Sequence, residues 1–259
     1  MHSSFLMVLG IALAAALASP AGGMLAIWLR PTSLLLSITV GLAGGVLLGT
    51  FAFEMMPRAL ELASMPLAAG GFILGLGLVY LLDLYVNRWQ LAGPEADQRD
   101  RVGRAHRRRK PRGSDTSVLA GGTSVEELIE GLTIGVGAAL EPSTAFIVGL
   151  AIFIDNLSEA MSIGELVISE GGPGAKRRTF MWTSLIGVSL FASAMIGWFL
   201  MRNIPETLQG TLFAIGAGGM FYLTITDLVP EAEAHQFQQS AALAIGAGFL
   251  TVMVLSNLM

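Results

Sequence analysis

The chain has no cysteine among its 259 residues and only three histidines. The first absence excludes a disulfide scaffold, a cysteine-based zinc site and a thiol nucleophile. Charge is scarce too. Only 13% of the residues are Asp, Glu, Lys or Arg, about half the share of an average soluble domain. The basic residues are also unevenly placed: nine of the 15 Lys and Arg fall between Arg88 and Arg112. A formal net charge of −4 therefore says little about any one surface. What fills the rest is apolar, 53% of the chain, with 32 glycines and 13 methionines. A nucleic-acid binder or a disordered chain would not carry apolar runs of this length. The composition predicts an all-α polytopic membrane protein whose surroundings are a lipid bilayer, with no nucleic-acid partner.

A bilayer core of ~30 Å needs about 20 apolar residues at 1.5 Å rise. Eight stretches qualify, at about 5–29, 33–57, 67–87, 118–140, 143–169, 179–201, 208–230 and 241–258. Arg30-Pro31-Thr32, Met65-Pro66, Glu141-Pro142-Ser143 and Pro205 lie between spans, where the chain must turn. The connections are short, so neighbouring spans form antiparallel hairpins within one transmembrane domain over residues 1–259. Ala18-Ser19-Pro20 resembles a signal-peptide cleavage region. No Lys or Arg precedes it, however, and the apolar run continues to Trp28, so the first span is expected to be retained.

Basic residues set orientation. Alternate loops hold Arg30, then the Arg88–Arg112 cluster, then Lys176-Arg177-Arg178, while the other set holds only Arg58 and Arg202. The richer set is expected to face the cytoplasm, with both termini on the outer side of the cell membrane. The loop at about 89–117, with Pro94, Pro111 and Gly113, is expected to be disordered and to act as a topology signal.

Acidic residues deep in apolar spans cost about 2.5–3.5 kcal/mol each and are functional by default. The fourth span contains Glu126-Glu127-Leu128-Ile129-Glu130-Gly131-Leu132-Thr133-Ile134-Gly135. The fifth contains Asp155-Asn156-Leu157-Ser158-Glu159-Ala160-Met161-Ser162-Ile163-Gly164. The two agree position by position in pattern, and consecutive spans run in opposite directions, so this is an inverted repeat, a transporter signature. Residues three and four apart share a helix face. Glu126, Glu127 and Glu130 therefore converge on one stripe, and Asp155, Asn156 and Glu159 on another. Gly131, Gly135, Ala160 and Gly164 are expected to let these two helices approach closely. Neither stretch holds a Lys or Arg. Several of the carboxylates must then bind protons, or a cation must sit among them.

A second repeat ends the second and seventh spans: Glu54-Met55-Met56-Pro57-Arg58-Ala59 and Asp227-Leu228-Val229-Pro230-Glu231-Ala232. Proline frees a carbonyl in a helix, tolerated in a membrane only beside a cavity or a partner. Glu54, Asp227 and Glu231, with His235 just beyond, are candidate entrance and exit residues. Arg58, Glu61 and Glu233 read as interfacial charge. Met55, Met56, Met161 and Met220 read as packing. Trp28, Trp89, Trp182 and Trp198 read mostly as interfacial anchors.

These features resemble the Zrt/Irt-like (ZIP) family of divalent metal transporters. The resemblance rests on eight spans, a polar loop after the third, Glu-Glu-x-x-Glu-Gly on the fourth, Asp-Asn-x-x-Glu-Ala on the fifth and Asp-Leu-Val-Pro-Glu-Ala on the seventh. It covers nearly the whole chain. It implies an eight-helix fold, movement of zinc, iron, manganese or related cations toward the cytoplasm, and metal held between the fourth and fifth helices. The family's fourth-helix pattern His-Asn-x-Pro-Glu-Gly falls on Glu126, Glu127, Glu130 and Gly131. Its fifth-helix counterpart falls on Asp155, Asn156, Glu159 and Ala160, and its second-helix pattern on Glu54 and Pro57. The chain departs in four places. Glu126 replaces the family's histidine, Ile129 and Ser158 replace two motif prolines, and no acid stands between Leu185 and Gly197, where Ala192 and Ala194 occur.

An all-oxygen site suits Mn²⁺, Mg²⁺ or Fe²⁺, and Zn²⁺ remains open through carboxylates. The metal would be transported substrate, and no cofactor or enzymatic activity is expected. A proton-coupled small-molecule transporter or a cation channel of another class stays open as the alternative. An intramembrane hydrolase is less favoured, because no nucleophile or metalloprotease motif accompanies the acids. The oligomeric state is open, with a homodimer as the candidate.

Overall fold

The computed structural model describes residues 2–29, 31–86, 115–170, 173–201, 203–234 and 237–258. Among these residues the chain forms eight long helical rods and no strand. In chain order they are α1 (His2–Leu29), α2 (from Ser33), α3 (Met65–Val86), α4 (Asp115–Leu140), α5 (Pro142–Glu170), α6 (Ala175–Met201), α7 (from Glu206) and α8 (Gln238–Leu258). Seven are long and apolar enough to cross a membrane. The remaining one, α4, has 26 residues, ~39 Å at 1.5 Å per residue, and packs against α5, α6 and α7. The Arg88–Arg112 loop, expected to be disordered, lies outside the described residues.

Two helices are composite. α2 runs through Ser33–Thr50, a π-helical turn at Phe51–Met55, and Met56–Leu62. α7 runs through Glu206–Leu223, a π-helical turn at Thr224–Leu228, and Val229–Ala234. Both spans therefore continue past the prolines expected to end them. The reason is local. Pro57 and Pro230 have no N–H to give the carbonyl four residues back. The wider turn just before each proline absorbs the mismatch, with Met56 N–H bonding to Phe51 O and Val229 N–H to Thr224 O. Phe53 O, freed by Pro57, accepts from Ser256 Oγ of α8 at 3.1 Å. Each π turn carries one acid, Glu54 or Asp227.

The packing partners repeat. α4 lies along α6 as α5 lies along α1; α2 lies along α8 as α7 lies along α3; α5 meets α2 as α4 meets α7. Exchanging α4 with α5, and α1–α3 with α6–α8, reproduces the same neighbours. The acidic repeat in the sequence is thus the local trace of a two-fold relation through the whole bundle.

In lipid, helices associate through close packing rather than a hydrophobic drive, and small residues permit it. Here the structure corrects the expectation for the motif glycines. Gly131 and Gly135 do not face α5; they close the α4–α6 seam. A Cβ on Gly135 would stand 2.5 Å from Ala194 O and from Trp198 N, and one on Gly131 would collide with Ser193 and Leu190 O. Gly164 faces Ala26 of α1, and Ala160 lies against Gly22, also on α1. The acids occupy the face between α4 and α5, and the small residues occupy the flanks. Met55, Met161 and Met220 are buried packing residues. Trp28 is exposed at the end of α1, whereas Trp198 is buried beside Ala138, Ala145 and Val8, so it is no interfacial anchor.

Candidate functional site

α4 and α5 form a hairpin around Glu141, whose N–H bonds to Gly137 O and whose carbonyl accepts from Ala145 N. Pro142 starts α5, a position where its missing N–H costs nothing. The hairpin sets Glu130 beside Asp155 and Asn156. Glu127, Glu130, Asp155 and Asn156 are all buried, between 1% and 6% exposed, and Glu159 is half-buried. No Pro interrupts either motif. Instead Ser158, at one of the two proline-replaced positions, bonds Ile154 O of its own helix at 3.0 Å and Thr39 O of α2 at 3.2 Å.

A cavity of about 400 Å³, counted to its mouth, lies against these helices. Six carboxylates line it: Glu127 and Glu130 from α4, Asp155 and Glu159 from α5, Asp227 and Glu231 from α7. Leu47, Leu223 and Leu228 supply its apolar wall. Asp227 sits in the π turn, and Glu231 one helical turn further on. The structure therefore brings the seventh-helix pair to the same cavity as the central motifs. Glu54, in the mirror-related π turn, is half-buried and is not part of that lining. Among the described residues, no three acidic or imidazole side chains converge to ligand distance in this conformation. Glu126 lies on α4, but its side chain is outside the described residues, as is His235.

Asn156 sits behind this row rather than on the cavity wall. Its Oδ1 accepts from Ser19 Oγ of α1 at 2.5 Å. Its Nδ2 donates to Ile152 O at 3.0 Å and to Glu130 Oε2 at 3.5 Å. Glu130 and Asp155 face each other closely enough for their carboxyl groups to hydrogen-bond. Two carboxyls joined in this way need one proton between them. Asp155 Oδ1 is buried without a hydrogen-bond partner. α6 closes the site from behind. Ser193 Oγ contacts Glu127 O at 3.1 Å and Leu190 O at 2.9 Å, donating its one hydrogen at this junction.

Sequence reasoning missed Ser19. Its signal was a lone hydroxyl directly before Pro20 in an otherwise apolar span, which read as a cleavage-site residue. It also missed the pairing of Tyr222 OH with Asp83 at 2.7 Å, which ties α7 to α3.

Comparisons with known proteins agree with this geometry. A family model described as ZIP Zinc transporter matches residues 104–255, more than half of the chain. A protein named Zinc transporter ZupT from Escherichia coli O7:K1 is 25% identical over 208 residues, covering 79% of this chain and 77% of its own length. A protein of the same name from Corynebacterium aurimucosum is 25% identical over 256 residues, covering 94% of each. The family match spans α4 and α5, and with them both acidic motifs and the seventh-helix pair. The chain belongs to the ZIP zinc transporter family.

Proposed function

We propose that this protein carries divalent metal cations across the cell membrane, zinc first among them, toward the cytoplasm. The observation that carries the reading is the cavity lined by six carboxylates from three helices, with no Lys or Arg among its lining residues. Like charges gathered in a low-dielectric place need counter-charge. A divalent cation supplies two units at once, and oxygen donors suit it. The names of the curated relatives support zinc as cargo. The donor set leaves manganese and iron as competing substrates, since no imidazole stands at the central positions.

In this proposal Glu126, Glu127, Glu130, Asp155, Asn156 and Glu159 form the central site, with Glu130 and Glu159 as its principal ligands. Asp227 and Glu231 continue the carboxylate row toward the end of α7, as a path for release. Glu54 lies at the mirror-related position and serves the opposite side. The apolar side chains exposed on α3 and α8, such as Ile73, Leu243 and Leu258, face lipid. A homodimer is the assembly proposed.

The test is metal analysis of the purified protein, followed by uptake in vesicles or cells with Zn²⁺, Mn²⁺, Fe²⁺, Co²⁺ and Mg²⁺ in competition. Near-stoichiometric zinc and zinc uptake inhibited by its competitors are expected. A protein that binds and moves none of them would end the reading, and would return attention to a proton-coupled small-molecule carrier.

A further inference from the structure

The buried hydroxyl of Ser19 has no place in the carboxylate row, yet it lies at the end of a polar chain that reaches it. Three helices contribute one group each. Ser19 of α1 is 0% exposed and Asn156 of α5 is 1% exposed. Ser19 Oγ donates to Asn156 Oδ1, and Asn156 Nδ2 donates to Glu130 Oε2 of α4. The second amide hydrogen goes to Ile152 O. An asparagine amide offers one oxygen and two N–H donors, and all are in use here. The seam that holds Ser19 in place is tight. Three residues on, Gly22 has no room for a Cβ against Leu157 O and Ala160 of α5. α1 and α5 therefore cannot drift apart at this level without opening that contact.

We propose that Ser19 is a positioning residue for metal binding, acting on Glu130 through Asn156. The proposal rests on the reading of Glu130 as a metal ligand. The chemistry follows from the direction of the hydrogens. The Ser19 hydrogen occupies the one amide atom able to ligate a cation, and so turns the N–H face of Asn156 toward the carboxylate. At 3.5 Å that N–H aims the Glu130 carboxylate without neutralising it. Partners of this kind hold first ligands in geometry, and removing one typically weakens metal binding about 10–100-fold. Without the hydroxyl, Oδ1 is left buried with no donor, and the amide is released to turn it elsewhere. The aim of Glu130 is lost with it.

The test uses the full-length protein in detergent or vesicles and Zn²⁺ alone as the probe. Ser19→Ala removes the donor. Ser19→Cys keeps the volume but leaves only a weak S–H donor. Both are expected to raise the Zn²⁺ dissociation constant by about tenfold and to raise the KM for uptake more than they lower the maximal rate. In an Asn156→Ala background, Ser19→Ala is expected to add nothing, since its effect runs through the missing amide. Wild-type affinity in both single variants overturns the proposal. So does a full additive loss in the double variant, which would mean that Ser19 acts by packing α1. Should Ser19→Ala fail to fold, Ser19→Cys decides; should Asn156→Ala bind no zinc at all, the single variants decide. Glu130→Ala separates the two levels. Zinc binding that survives it removes the site reading and this proposal together. Zinc binding lost in Glu130→Ala but intact in both Ser19 variants removes this proposal alone.

Discussion

Arg58 Nη2 lies 3.1 Å from Glu141 Oε2 and so joins the end of α2 to the turn between α4 and α5. The same guanidinium reaches Glu61 at 2.7 Å. Glu141 is 14 positions beyond Glu127, ~21 Å along a helix. The ion pair therefore ties the bundle together at the end remote from Glu231, one turn from Glu54. Both side chains are partly exposed, 27% and 48%, so the pair contributes at most about 1 kcal/mol to stability. Glu141→Gln should leave the melting temperature nearly unchanged. It should speed the labelling of a cysteine placed at Glu54 by a water-soluble reagent. Unchanged labelling, or a large loss of stability, would contradict this account.

Glu130 and Glu159 each lie four positions into their motifs and line the same cavity. Glu130→Ala or Glu159→Ala should abolish metal uptake while leaving protein in the membrane. The check is uptake normalised to protein detected at the membrane. Normal uptake in both variants would sink the site assignment.

Metal binding should release protons. Glu130 and Asp155 face each other within hydrogen-bonding reach, which requires a proton between them when no cation is there. A divalent cation replaces that proton, so binding should weaken as pH falls. Net uptake need not slow, because protonation from one side also favours release. Zinc titrations between about pH 5 and pH 8 test the sign. An affinity flat across that range would mean that these carboxyls do not bind the metal.

The glycine seams predict a contrast within one residue type. Gly135→Ala forces a methyl against the backbone of Ala194 and Trp198 and should cost about 1–3 kcal/mol. Gly77 on α3 has open space around it, and Gly77→Ala should be neutral or slightly stabilising. Thermal unfolding in detergent compares the two. Equal losses would mean that the α4–α6 seam is looser than described.

Orientation is open to direct labelling, because the native chain has no cysteine. The basic loop is expected to face the cytoplasm, so Ser114→Cys should resist an impermeant reagent in intact cells and react after lysis. Reaction in intact cells would invert the topology.

Much of the bundle was legible in the sequence. Apolar length marked the spans, and the acidic repeat pointed to a two-fold relation that the packing of α1–α3 and α6–α8 extends. What periodicity could not supply was the neighbour each face meets. It put Gly131 and Gly135 on a common stripe, but the partner proved to be α6 rather than α5. The same limit hid Ser19, since its contact with Asn156 joins positions 137 apart. Pro57 and Pro230 misled in another way. A proline reads as a boundary, and only a partner such as Ser256, far along the chain, shows how a helix can run through it.

The paired π turns also determine where these helices tolerate a change of length. A π turn is an α-helix that has taken in one extra residue. Deleting one residue from Thr224–Leu228 would restore an ordinary ladder, yet it would rotate everything beyond it by ~100° relative to what precedes. Glu231 would then swing away from the cavity it lines, although no acid had been removed. The same arithmetic holds at Phe51–Met55 for Arg58 and its hold on Glu141. A frame-preserving loss of one codon in either turn should thus be as harmful as losing an acidic side chain, whereas one codon lost in a loop between helices should pass unnoticed.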